Sequence, residues 1–196
     1  MKSPPERPAV IVPRHRRVPP HLKRAIDVRY RSLEDHEHDG MATSKARTVI
    51  DCAKDLPFDR ALAVADSALR SGDVTQDELL RLAAALPSNG RKQALRVAAE
   101  ADGRADNPFE SCLRAIALDV PGLRVEAQVD ISEFGFECRP DLVDVERRIV
   151  IEADSFEFHS TRRSLRKDIE RYTDLVALVE GPQTLATSPR TTRKSA

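Results

Sequence analysis

Between Thr43 and Ala101 the apolar positions recur at three- and four-residue intervals, the spacing of one helix face. Thr43 or Ser44 caps a helix through Val49, Ile50, Cys52 and Ala53. Pro57, at a first-turn position, opens a second over Ala61, Leu62, Val64, Ala65, Ala68 and Leu69, which Gly72 ends. Thr75, with Glu78 three residues on, is a capping box for a third helix over Leu79, Leu80, Leu82 and Ala83. A fourth runs over about 91–101. The apolar stripes of this block are core, and its Asp51, Asp55 and Asp66 read as exposed-face or capping charges.

After Gly103 the pattern changes. Pro108 starts a helix bearing Glu110, Leu113, Ile116 and Leu118. Three short segments of strand character follow, at 123–131, 137–143 and 148–154, then a charged helix over about 162–179. Residues 1–40 are rich in Pro, Arg and His and read as irregular, with room for one or two short strands. The expected fold class is α/β, a mixed sheet flanked by helices and preceded by a small helical unit. The expected division is an irregular segment at 1–40, a helical domain at 41–103, an α/β domain at 104–180 and a disordered tail at 181–196.

Composition narrows the classes. The chain of 196 residues is 40% hydrophobic and 33% charged, an ordinary globular balance. No run approaches a membrane span and the start lacks an apolar secretion signal, so no membrane partner is expected. Cys52, Cys112 and Cys138 lie far apart, which is neither a disulfide framework nor a zinc site, and fits a reducing cytoplasm. Basic and acidic residues balance at 32 each, so any nucleic-acid contact must come from local patches. Two exist, at 15–24 and at Arg162, Arg163, Arg166 and Lys167, and the plain reading of both is solvated surface. Nothing in the pattern specifies an oligomeric state.

The segment from Arg139 to Asp154 reads as a hairpin turning near Glu146 and Arg147. A symmetric turn sets Asp141 opposite Glu152 and Arg139 opposite Asp154, with Asp141, Glu152 and Asp154 on one face. Opposed carboxylates have Cβ atoms roughly 4.5–5.5 Å apart and repel. Protonation, a nearby cation such as Arg139, or bound Mg²⁺ offsets that repulsion. The plain alternative is an exposed hairpin whose acids face solvent beside Arg139 and Arg147.

The order of these residues carries a resemblance. Glu110 on a helix, then Pro140-Asp141, then Glu152-Ala153-Asp154 resembles the PD-(D/E)XK nuclease pattern. The stretch from Ile149 to His159 resembles very-short-patch-repair (Vsr-like) endonucleases. It resembles still more a related bacterial family of unknown function with a Glu-x-Asp-Gly segment, a later His and an Asp-x-x-Arg, here Asp168 and Arg171. The upstream residues 43–51 look like the region preceding this domain in actinobacterial proteins labelled as related to AbiEi-type antitoxins. No winged helix-turn-helix is visible in residues 1–40.

The resemblance implies a restriction-endonuclease-like fold and Mg²⁺- or Mn²⁺-dependent cleavage of DNA. Glu110, Asp141, Glu152, Asp154 and His159 would be catalytic, with Asp141, Glu152 and Asp154 on the metal. His159 would be a general acid/base or phosphate contact. Gln128 would orient the site and, with Arg162, Arg163, Arg166, Lys167 and Arg171, contact nucleic acid. The sequence departs from the pattern in Asp154 where PD-(D/E)XK has Lys, and in Ser155 where the related family has Gly. It also has no Gly-Trp and apolar strand after Ala177, so a missing last strand, an exposed sheet edge and a disordered tail are expected. The rival expectations are a catalytically inactive antitoxin-like or regulatory DNA-binding protein, or a truncated gene product.

Overall fold

Short apolar bursts flanked by proline give the first elements. The computed structural model describes residues 7–133 and 136–153. Within 7–40, β1 (Ala9–Val12) and β2 (Asp27–Tyr30) pair in parallel, joined through the short helix α1 (Pro20–Ala25). Arg29 on β2 and Arg31 just past its end are two apart and so share a face. On α2 (Lys45–Asp55), Asp51 and Asp55 are four apart and share another. Arg29 pairs with Asp55, and Arg31 with both acids. Arg47 adds bridges to Glu37 at 2.7 Å and to Asp51 at 3.2 Å. Asp51 and Asp55, expected as exposed-face or capping charges, are half-buried and exposed respectively, and both pair with arginines of the β2 segment.

The helical block follows its caps. Ser44 Oγ accepts the Arg47 amide at the start of α2. Pro57 directly precedes α3 (Phe58–Arg70), one position earlier than expected. Thr75 Oγ1 accepts the Glu78 amide to open α4 (Gln76–Ala85). Gly90, at φ +82°, kinks α5 (Ser88–Glu100), so its regular part begins at Arg91. Ile50, Ala61, Ala65, Leu79, Ala94 and Val97 meet in one core. Small alanines on all these helices let the backbones approach closely while Ile and Leu fill the centre.

One further expectation is corrected here. Asp66 on α3 is fully buried, not a surface or capping charge. The Arg114 guanidinium donates to both its oxygens at 2.8 and 2.9 Å, and the Asp102 amide donates to Oδ1. Arg114 belongs to α6 (Pro108–Leu118), so a buried ion pair ties α6 to the helical block. A charge on a mostly apolar helix looks like surface until its partner, 48 residues away, is known.

The strands are shorter and more divided than expected. The first expected segment, 123–131, yields β3 (Glu126–Ala127) and the start of β4 (Ile131–Glu133); the second yields β5 (Phe136–Cys138) and β6 (Leu142–Asp144). The break falls at Gln128, which takes φ +54°, opposite Pro140 and Asp141, where proline has no amide to donate. Glu126↔Val143 and Ile131↔Cys138 keep one register on both sides of the break. The third segment gives β7 (Ile149–Ile151), and the sheet order is β3-β6-β7, all antiparallel. The pairs Leu142↔Ile151, Val143↔Val150 and Asp144↔Ile149 match the register expected from a symmetric turn.

Central strand β6 is buried on both faces. Leu142 packs with Ala127, Ala117 and Leu113, under α6. Val143 packs with Val129 and Ile131, toward the β4–β5 hairpin. The arrangement is mixed α/β, with α6 serving both the helical block and the sheet. Among the described residues, no helix is long and apolar enough to cross a membrane, and the three cysteines form no disulfide with one another.

Candidate functional site

Helix spacing decides what α6 offers the sheet. Glu110, Leu113 and Ala117 lie at i, i+3 and i+7, one stripe; Leu113 and Ala117 cover Leu142. Glu110 is therefore carried to the same sheet one turn earlier. Asn107 caps the helix, its Oδ1 accepting the Phe109 and Glu110 amides. Its own amide nitrogen donates to Glu110 Oε1, and the Asp106 amide donates to Glu110 Oε2 at 2.8 Å. The carboxylate is thus fixed before any strand residue touches it.

Gln128 joins helix to sheet. Its backbone amide donates to the Asp141 carbonyl at 3.0 Å, which marks it as the residue opposite Asp141, just ahead of β6. Its side-chain Nε2 donates to Glu110 Oε2 at 3.0 Å and to Asp141 Oδ1 at 3.2 Å. Left-handed backbone in a residue with a Cβ is uncommon, and here it accompanies an amide pinned between two carboxylates. Gln128 is 7% exposed and Glu110 is 5% exposed, so this polar contact is buried.

Asp141 directly precedes β6, and the register that sets Leu142 against Ile151 sets Asp141 against Glu152 one step beyond the strand ends. Asp141 Oδ2 accepts the Ala153 amide at 2.7 Å, closing the end of the hairpin. The result is a row of Gln128, Asp141 and Glu152 across three neighbouring chain segments, with Glu110 reaching in from α6. Burial pushes the Glu110 carboxyl above its ordinary range, and the negative charge of Asp141 acts in the same direction. Arg139, the cation expected beside this row, has its guanidinium 3.7 Å from Asp106. Arg147 turns instead to Asp144, which is buried and held below the usual carboxylate range, first by the Arg124 amide.

Of the residues expected to act, Glu110, Gln128 and Asp141 are joined by hydrogen bonds, and Glu152 stands opposite Asp141 by continuation of the strand register. Asp154, His159, Arg162, Arg163, Arg166, Lys167 and Arg171 lie outside the described residues, as does the tail at 182–190. Among the described residues, no group of three or more His, Cys, Asp or Glu is placed to hold a metal. Asn107 and Asp106 were not expected at the site. The signal was present in Asn107-Pro108-Phe109-Glu110, a cap residue with an acid at the third helical position, which aims the acid back at the helix start.

Comparison with known proteins adds relatives but no activity. No protein-family model matches the chain, and no solved structure matches it. Two curated proteins of Mycobacterium tuberculosis, from strains CDC 1551 / Oshkosh and H37Rv and both described as uncharacterized, are 32% identical over 142 residues. That match takes in 70% of this chain and 52% of each relative, so the chain spans about half the length of the curated relatives it matches.

Proposed function

We propose that the Glu110–Gln128–Asp141–Glu152 row is part of a divalent-metal-dependent phosphodiesterase site acting on DNA, in the manner of Vsr-like and PD-(D/E)XK endonucleases. One observation carries the reading. Two carboxylates from different elements converge on a single amide nitrogen, in the same row where a third acid is expected from the register. The donor set is all oxygen, which suits a hard ion such as Mg²⁺ or Mn²⁺ rather than a transition metal that prefers nitrogen or sulfur. Asp141 and Glu152 would hold that ion, with Asp154 the further acid that the sequence pattern supplies. A bound ion of this kind polarises a phosphate and lowers the pKa of a coordinated water.

The chain's own residues do the rest. Gln128 holds the Asp141 and Glu110 carboxylates at fixed separation, so neither has to be ordered when substrate arrives. Glu110, with its carboxyl raised by burial, retains a proton to higher pH than an exposed acid does. The test is incubation of the purified chain with plasmid and with mismatched duplexes in Mg²⁺ or Mn²⁺, beside Asp141→Asn. Metal-dependent nicking that falls to background in the variant is expected. Equal cutting by both proteins places the chemistry elsewhere.

A second reading rests on a different observation. Both oxygens of Asp141 and both of Glu110 already accept hydrogen bonds from protein N–H groups. That favours a scaffold that keeps the fold for binding DNA, antitoxin-like or regulatory, without catalysis. A chain that binds duplex but neither cleaves it nor responds to Mg²⁺ or Mn²⁺ supports this second reading.

A further inference from the structure

We infer that the concave face formed by the 13–18 turn, α1 and the end of β2 binds the sugar–phosphate backbone of DNA. The inference takes its ligand class from the nucleic-acid reading above but uses none of the acidic site. The chain is electrically neutral overall, yet residues 7–26 contain six cations (Arg7, Arg14, Arg16, Arg17, Lys23 and Arg24) and no acid. The fold gathers rather than scatters them. The Arg16 amide donates to the Pro13 carbonyl at 3.0 Å, turning the chain directly after β1. Arg14, Arg16 and Arg17 then line, with Lys23 and Tyr30, a concavity of about 440 Å³.

Pairing separates this face from the neighbouring cations. Arg29, Arg31 and Arg47 are each held by one or two carboxylates. Arg14, Arg16, Arg17, Lys23 and Arg24 are exposed, and among the described residues no carboxylate lies within bridging distance of any of them. Lys23 instead sits 5.9 Å from the centre of the Tyr30 ring, which orients its ammonium at the edge of the concavity. Arginines predominate, and the planar guanidinium matches phosphate oxygens in pairs. A membrane surface is the weaker fit, because α1 has six residues and Leu22 is its one large exposed apolar side chain.

The test is fluorescence anisotropy of a short labelled DNA duplex with the full chain, in EDTA so that cleavage and metal play no part. Replacing Arg14, Arg16 and Arg17 together by Gln is expected to weaken binding at least tenfold near 0.1 M salt, and to lower the log–log salt slope by about one per lost phosphate contact. The same three positions as Lys are expected to keep binding within severalfold. A parent chain that binds the duplex in EDTA yet leaves it uncut in Mg²⁺ or Mn²⁺ overturns the catalytic reading alone and leaves this inference standing. Unchanged binding by the Gln variant overturns the inference. So does equal weakening on replacing the exposed Arg60, Arg81 and Lys92 by Gln, or tighter binding to phosphatidylserine vesicles than to the duplex.

Discussion

Glu110 is a buried carboxylate whose three hydrogen-bond donors come from Asp106, Asn107 and Gln128, with Asp141 close by. Burial makes its charged form costly, so its folded pKa lies above the ordinary value of 4.5. The sign of the linkage follows. Between 4.5 and the raised folded value the native state holds more protons than the unfolded chain, so stability falls as pH rises through that window and then levels. Glu110→Gln removes the titration. Chemical denaturation at a series of pH values is expected to show the variant gaining on the parent from about pH 4.5 upward. Parallel profiles would mean that Glu110 is not desolvated in solution. Gln128 acts at the same scale, since one side-chain amide sets the distance between two acids that would otherwise repel.

At the scale of elements, α6 is the joint of the molecule. One of its faces lies on α3 through Asp66 and Arg114, and the other lies on Leu142 of the sheet. The Arg114 guanidinium also donates to the Glu100 carbonyl at the end of α5, so three helices share one cation. Removing one member of such a pair leaves a buried charge unpaired. Asp66→Leu or Arg114→Met alone is expected to cost about 3–5 kcal/mol by urea denaturation. The double variant is expected to recover a large part of that loss, because both charges leave together. Additive losses would show that the two side chains act separately. The same joint carries Glu110 to Gln128, so the double variant also tests whether the acidic row depends on the seating of the helix.

At the scale of the whole molecule, the acidic row and the basic concavity lie on different parts of the chain. On the readings proposed above, the row would respond to divalent metal and the concavity to salt. If the row binds metal, Mg²⁺ or Mn²⁺ stabilises the native state by mass action, about 2.7 kcal/mol at a hundredfold excess over Kd. A rise in Tm with metal is expected for the parent and not for Asp141→Asn. An equal rise in both proteins would place the bound metal elsewhere. Paired acids immobilise most of the arginines around α2, so the positive field is concentrated where the sequence happens to lack Asp and Glu.

Local rules made much of this legible. Ser44, Thr75 and Asn107 cap helices because each lies just before an apolar repeat, and cap and repeat both act within a few residues. The β6–β7 register was equally readable, since a symmetric turn fixes which residues oppose one another. Continued one step past the strand ends, that register sets Asp141 opposite Glu152. What the sequence could not reveal is non-local. Asp66 meeting Arg114, Asp51 and Asp55 meeting Arg29 and Arg31, and Gln128 turning left-handed to bridge Glu110 and Asp141 all join elements far apart in the chain. No periodicity encodes such contacts, because a charge or an amide chooses its partner only after the helices and strands have packed. The sequence by itself determined the elements and the order of the acids. Tertiary structure decided which of those acids stand together, because buried polar groups must find partners wherever packing places them.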